Sequence, residues 1–146
     1  MKKILLFVLM LFIISPLKSA ENDGFNEIIL KETSNKDELF KYWQDYIPSE
    51  NKDNVIYRYY ETPYAKGGES MIFTQIFDIN ACGANNCPYK VILKKSDGTA
   101  KEVLYGIGPD IENVFKIKNN YIKPFDINVG DLYFKYNESE EKYVKE

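Results

Sequence analysis

The chain has 146 residues, with 19 basic and 22 acidic side chains, no histidine, and a formal net charge of −3. An acidic balance without a basic cluster argues against a nucleic-acid partner, because phosphate neutralisation needs grouped Lys and Arg. The missing histidine removes the commonest general base, the Ser-His and Cys-His nucleophile systems and every His-containing zinc site.

At the amino end, Lys2 and Lys3 precede eleven uninterrupted apolar residues, Ile4 to Ile14, and then Ser15-Pro16 and the small pair Ser19-Ala20. This is the tripartite pattern of a secretory signal peptide over residues 1 to about 20. As a helix the apolar run would cross only about half of the ~30 Å hydrocarbon core, so a permanent anchor is the poorer reading. Lys18 stands where the peptidase prefers a small residue, which leaves the cut open by a few positions. No cysteine follows the run, so a lipoprotein is excluded. Cleavage takes Lys2, Lys3 and Lys18 from the 19 basic residues and none of the 22 acidic ones, giving a net charge of −6. Residues 21–146 are expected to form one soluble domain, periplasmic or secreted, with no membrane association after cleavage.

Phe25 to Lys31 is apolar enough for a strand or a short helix, and its periodicity does not decide. Ser34-Asn35-Lys36-Asp37 reads as a helix start, with the hydroxyl accepting from the third helical amide and the carboxylate at the positive end of the dipole. Leu39, Trp43 and Tyr46 or Ile47 recur at helical spacing until Pro48, predicting one amphipathic helix of about 12 residues. Seven segments rich in β-branched and aromatic residues follow: 54–60, 70–79, 89–95, 101–105, 111–118, 121–129 and 131–136. Ser96-Asp97-Gly98 and Asn119-Asn120 are tight-turn signals between antiparallel strands. The expected fold is α+β and mostly β: one N-terminal amphipathic helix, then an antiparallel meander of six or seven strands, as a small sandwich or curved sheet. Val91 and Leu93 alternate with Lys90 and Lys94, which predicts one wet sheet face. Pro124 would interrupt a ladder unless its strand is an edge or carries a bulge.

Cys82 and Cys87 are the only cysteines, and an exported chain would join them as a disulfide. Their C-x4-C spacing, with Gly83, Asn85, Asn86 and Pro88 nearby, reads as a staple on a turn-rich loop and not as a redox pair. Closing so short a loop contributes only about 2 kcal/mol, so the staple shapes the loop more than it holds the fold. Gly106-Ile-Gly108 precedes Pro109 and no helix, so it is no phosphate cradle. Asp126, Asn128, Gly130 and Asp131 alternate in the manner of a calcium loop, but the glycine falls one place early and the bidentate glutamate is missing. A turn between strands is the better reading, with no metal and no cofactor expected. Asn137-Glu138-Ser139 is a glycosylation sequon, relevant only to a eukaryotic secretory route.

All twelve tyrosines follow the export segment, and Tyr57, Tyr59, Tyr60 and Tyr64 cluster ahead of Gly67-Gly68. On a strand, Tyr57 and Tyr59 share one face and Tyr60 takes the other, so the group divides between packing and contact. Cys82-Gly83-Ala84-Asn85-Asn86-Cys87-Pro88-Tyr89, the Asp97-Gly98 turn and the late Asp131 to Tyr136 strand resemble a broad group of small exported bacterial proteins with a Cys-Gly-x-x-x-Cys hairpin. Members often carry Gly-Gly before the second cysteine and Asp-Gly-Asp-Gly before the first, where this chain has Ala84-Asn85-Asn86 and Gly67-Gly68-Glu69. The resemblance covers about residues 69–146 and implies the compartment, the disulfide and a β fold, but no activity.

The expected function is a non-enzymatic, acidic binding module that contacts a protein of the cell envelope, with an inhibitor or immunity factor for a cell-wall-degrading enzyme as its most concrete form. The candidate contact residues are Tyr57, Tyr59, Tyr60 and Tyr64 and the loop residues Asn85 and Asn86. A carbohydrate- or wall-binding module with an aromatic face is the first alternative, and a carboxylate-based hydrolase the second.

Overall fold

The computed structural model describes residues 24–64, 67–118 and 124–146, so the expected export segment and the Asn119-Asn120 turn lie outside the described residues. Among the described residues ten strands form: β1 (Asn26–Glu27), β2 (Lys31–Glu32), β3 (Ile56–Pro63), β4 (Ser70–Phe77), β5 (Asn86–Lys94), β6 (Ala100–Pro109), β7 (Phe115–Lys118), β8 (Asp126–Val129), β9 (Leu132–Asn137) and β10 (Lys142–Lys145). They make two antiparallel five-stranded sheets, ordered β2-β3-β4-β5-β6 and β1-β7-β8-β9-β10. One apolar cluster joins Met71, Phe73, Tyr89 and Val91 of the first sheet to Phe115, Ile127, Val129 and Phe134 of the second, which is the packing of a sandwich. Phe115 sits at its centre, edge-on to Phe73 at 5.2 Å and to Tyr89 at 5.3 Å, the arrangement the ring quadrupoles favour.

The undecided segment after Phe25 turns out to be a strap that serves both sheets. Ile28 and Leu30 point inward and are buried, while their amides donate to Phe115 O at 3.2 Å and Glu112 O at 2.8 Å. That period of two leaves β1 on one sheet and β2 on the other. The strand count exceeds six or seven because β1, β2 and β10 are too short to register as hydrophobic runs. β10 is nonetheless anchored, since the buried Tyr143 hydroxyl donates to Phe125 O at 2.6 Å. A register shift at Val91/Ile92 puts a bulge in β6, and both Val103 and Leu104 reach the same core. Pro124 lies just ahead of β8 and interrupts no ladder.

The expected helix is shorter than its apolar stripe. Its regular part, α1, spans Lys36–Phe40, and turns follow in which Trp43 N bonds to Phe40 O and Tyr46 N to Trp43 O. The cap residue is Asn35, not Ser34, and it makes no side-chain cap bond. Aromatic residues lose rotamer freedom in a helix, and burial of the indole outweighs regular hydrogen bonding here. Leu39, Trp43 and Ile47 still share one face, against Val55, Tyr57 and Ile76 in a second cluster. Trp43 Nε1 donates to Thr74 Oγ1 at 3.3 Å inside it.

This helical segment covers the far face of β4 and β5, so the wet face expected there is dry. Lys90 is the clearest correction: its side chain is 3% exposed, and its ammonium lies 2.8 Å from both Asp45 and Glu102. The ammonium also donates to Tyr42 O at 3.0 Å and stands 4.9 Å from the Trp43 ring centre. A buried ammonium is tolerated only when so enclosed by acceptors. Changing Asp45→Asn and Glu102→Gln together should cost about 2 kcal/mol in urea unfolding, the exposure of both carboxylates keeping the loss moderate. Lys90→Met, which keeps the stem on the indole, should cost less than that pair.

Candidate functional site

The connection between β4 and β5 is braced at several points. Asp78 O accepts from Ala81 N at 3.0 Å and Cys82 N at 2.8 Å, and its carboxylate accepts from Asn80 N at 2.9 Å. Gly83 N donates to Asn86 O at 2.9 Å, and Asp110 N to Asn85 O at 3.0 Å. Cys82 and Cys87 form the expected disulfide, the kind of bond that persists in a non-reducing compartment. From this frame Ile79 projects with 86% of its surface exposed, beside the exposed Phe77. The two line a recess of about 360 Å³ with Ile56, Asp78 and Asn54. A singly exposed aliphatic residue is ordinary, but Ile79, Phe77 and Ile56 gather at one recess, and a grouped apolar surface is what marks a contact site.

Beyond Asp110 the same end of the molecule carries a second groove, of about 370 Å³, between Ile29 and Ile111. Arg58 Nη1 lies 2.7 Å from Asp110 Oδ1 on its wall, and Gln75 Nε2 donates to Pro109 O at 2.9 Å beneath. The wall is therefore fixed to β3, β4 and β6 at once.

The sequence-selected tyrosines do not gather into one site. Tyr57 is fully buried in the second cluster, so the ring is packing and offers no contact surface. Burial first, then the charges of Asp53 and Asp78, pushes its hydroxyl up to about 12. Tyr59 packs on the same cluster, as the shared face requires, and Tyr60 packs on the sandwich side against Phe73 at 6.5 Å. Tyr64 lies past the far end of β3, roughly 23 Å of strand from Tyr57, and lines a recess with Tyr136 and Lys101. Its hydroxyl is pushed up to about 12, mainly by burial and also by Glu69 beside it. Asn85 and Asn86 are exposed at the stapled end, and Asn86 opens β5 opposite Pro109. Ile79, Phe77, Ile29 and Ile111 were missed; Ile79 and Ile111 stand alone between polar residues, while Phe77 and Ile29 sit in apolar runs and leave no trace of their exposure.

The remaining motifs resolve into packing. A Cβ at Gly106 would collide with the Tyr89 hydroxyl and ring, and one at Gly108 would lie 3.1 Å from the same ring, so the G-x-G lets Tyr89 lie flat across β6. Gly130, at φ 57°, serves the two-residue turn between β8 and β9. Asp126 is buried and accepts the Tyr133 hydroxyl at 3.0 Å, and among the described residues no three acidic, Cys or His side chains converge to hold a metal ion. No helix among the described residues is long and apolar enough to cross a membrane. The chain matches no protein-family model, no curated protein and no solved structure.

Proposed function

We propose that this chain is an exported, acidic, non-enzymatic binding module whose stapled end contacts another protein of the cell envelope, in its narrower form an inhibitor or immunity factor for a wall-degrading enzyme. The observation that carries the reading is Ile79, 86% exposed on a connection that a disulfide and backbone bonds hold in place. The backbone there is already fixed, so covering Ile79 gains apolar burial without the cost of ordering the loop. Asn85 and Asn86 stand exposed on the same connection as adaptable polar contacts, and the Asp78 carboxylate beside Ile79 supplies its negative charge.

The test is capture from envelope extract with the immobilised mature domain, identification of what is held, and affinity measurement on the purified pair. Ile79→Ala should weaken binding about tenfold or more and leave the melting temperature within a degree or so, because the side chain touches little of its own domain. Association should slow as salt rises, as expected for a −6 chain and a basic partner. Unchanged affinity in Ile79→Ala overturns the assignment of the contact. The carbohydrate reading has its own support in Tyr46 and Tyr105, both exposed with ring centres 6.2 Å apart. Salt-insensitive binding to wall glycan, lost in Tyr105→Ala, would favour it.

A further inference from the structure

The groove beyond Asp110 has a chemistry of its own. Ile29 is 56% exposed and Ile111 47%, and both are forced outward by their neighbours: Ile28 and Leu30 turn in on either side of Ile29, and Ile111 stands in the short connection from β6 to β7. Three carboxylates, Glu27, Asp110 and Glu112, line the same groove with a single cation, Arg58. Arg58 is committed to Asp110 at 2.7 Å, so that pair is internally balanced. Glu27 is held loosely, with Lys116 at 3.5 Å and the Asn113 amide at 3.3 Å. The Glu112 carboxylate has no ion pair or hydrogen bond among the described residues.

Two exposed isoleucines and an excess of carboxylates in one groove match one kind of side chain, a long apolar stem ending in a cation. The stem lies along the isoleucines, and the head reaches carboxylates that have charge to spare. We propose that this groove receives a Lys or Arg side chain from the partner protein. The inference rests on the binding-module reading, and the backbone bond from Asp110 N to Asn85 O makes the groove continuous with the stapled connection. It adds the chemistry of the partner: a basic residue set a short distance from whatever covers Ile79.

The probe is a pair of blocked five-residue peptides, Gly-Ile-Lys-Ile-Gly and Gly-Ile-Glu-Ile-Gly, titrated into ¹⁵N-labelled mature protein at concentrations on the order of millimolar, the range of a single side-chain contact. The lysine peptide should shift the amides of Ile29, Ile111 and Glu112 saturably, and the glutamate peptide should not. Changing Glu27→Gln with Glu112→Gln should weaken the lysine peptide about fivefold or more, since exposed opposite charges carry the recognition. Ile79→Ala should leave the peptide titration unchanged. No shift at the groove, equal shifts with both peptides, or an unaltered titration in the double variant overturns the proposal. Partner capture that Ile79→Ala leaves unchanged, with intact peptide binding, would instead sink the Ile79 contact and spare the groove.

Discussion

Tyr57→Ala is expected to cost about 4 kcal/mol of folding stability, seen as a shift of the urea midpoint without a change in slope. The ring is fully enclosed with Trp43, Val55 and Ile76, so truncation leaves a cavity that strands on both sides prevent from collapsing. Tyr57→Phe should move the other way, by about 1 kcal/mol, because the hydroxyl is buried with no hydrogen-bond partner among the described residues. The two variants together separate the value of the ring from that of its oxygen. The pH dependence follows from the same hydroxyl, held neutral up to about 12 in the folded chain against an ordinary value of 10.0. Its contribution to stability is complete below pH 10.0 and is lost between there and about 12, as the unfolded chain releases a proton that the folded one keeps. Tyr57→Phe should lessen that alkaline decline, the remainder coming from Tyr64 and Tyr143, whose hydroxyls are raised in the same direction. A wild-type midpoint constant from pH 9 to pH 12 would show that the hydroxyl reaches water.

Gly106→Ala should be nearly as damaging, at about 3 kcal/mol. Glycine inside a strand is ordinarily a weakness, and exchanging it for alanine would gain about 0.5 to 1 kcal/mol if flexibility were its only property. Here the methyl group would enter the Tyr89 ring, which is wedged against Phe115 and has nowhere to go. The sign of the effect therefore distinguishes the two accounts. With Tyr89→Val in the background the ring is gone, and the added cost of Gly106→Ala should fall below about 1 kcal/mol. Additive losses in the double variant would mean that the collision is relieved elsewhere.

Much of the β architecture was legible because β3, β4, β5, β6 and β9 are long enough to show their composition and are bounded by turn formers. Alternation along β5 placed Val91 opposite Lys90 in orientation, which is correct. What alternation cannot convey is whether a second layer covers the face it calls polar. Lys90 and Tyr57 were both misjudged for that one reason: each lies beneath the segment that carries Trp43. The tyrosines mostly pack, as the reading of them as largely core expected: Tyr57, Tyr89 and Tyr143 are buried and Tyr59, Tyr60 and Tyr64 half-buried. The G-x-G was set aside as a phosphate motif without its cause being visible, because Tyr89 reaches it only through strand pairing. Of the candidate site, the disulfide and the exposed Asn85 and Asn86 could be read from spacing and turn chemistry. Ile29, Ile79 and Ile111 could not, since an isoleucine reads as core, whether inside the apolar run 28–30 or alone between polar residues, until the chain around it is placed.

The strap between β1 and β2 bears on the order in which the molecule can assemble. A chain that emerges from its amino end first presents Asn26 and Glu27 long before Ile117 and Lys116, the residues they pair with. Until β7 has emerged, Ile28 and Leu30 have only half of their enclosure, and the second sheet has no edge for β1 to join. Closure of such distant pairings is slow and comes late. The chain therefore stays open for most of its emergence, and can close only when residues from 115 onward are free.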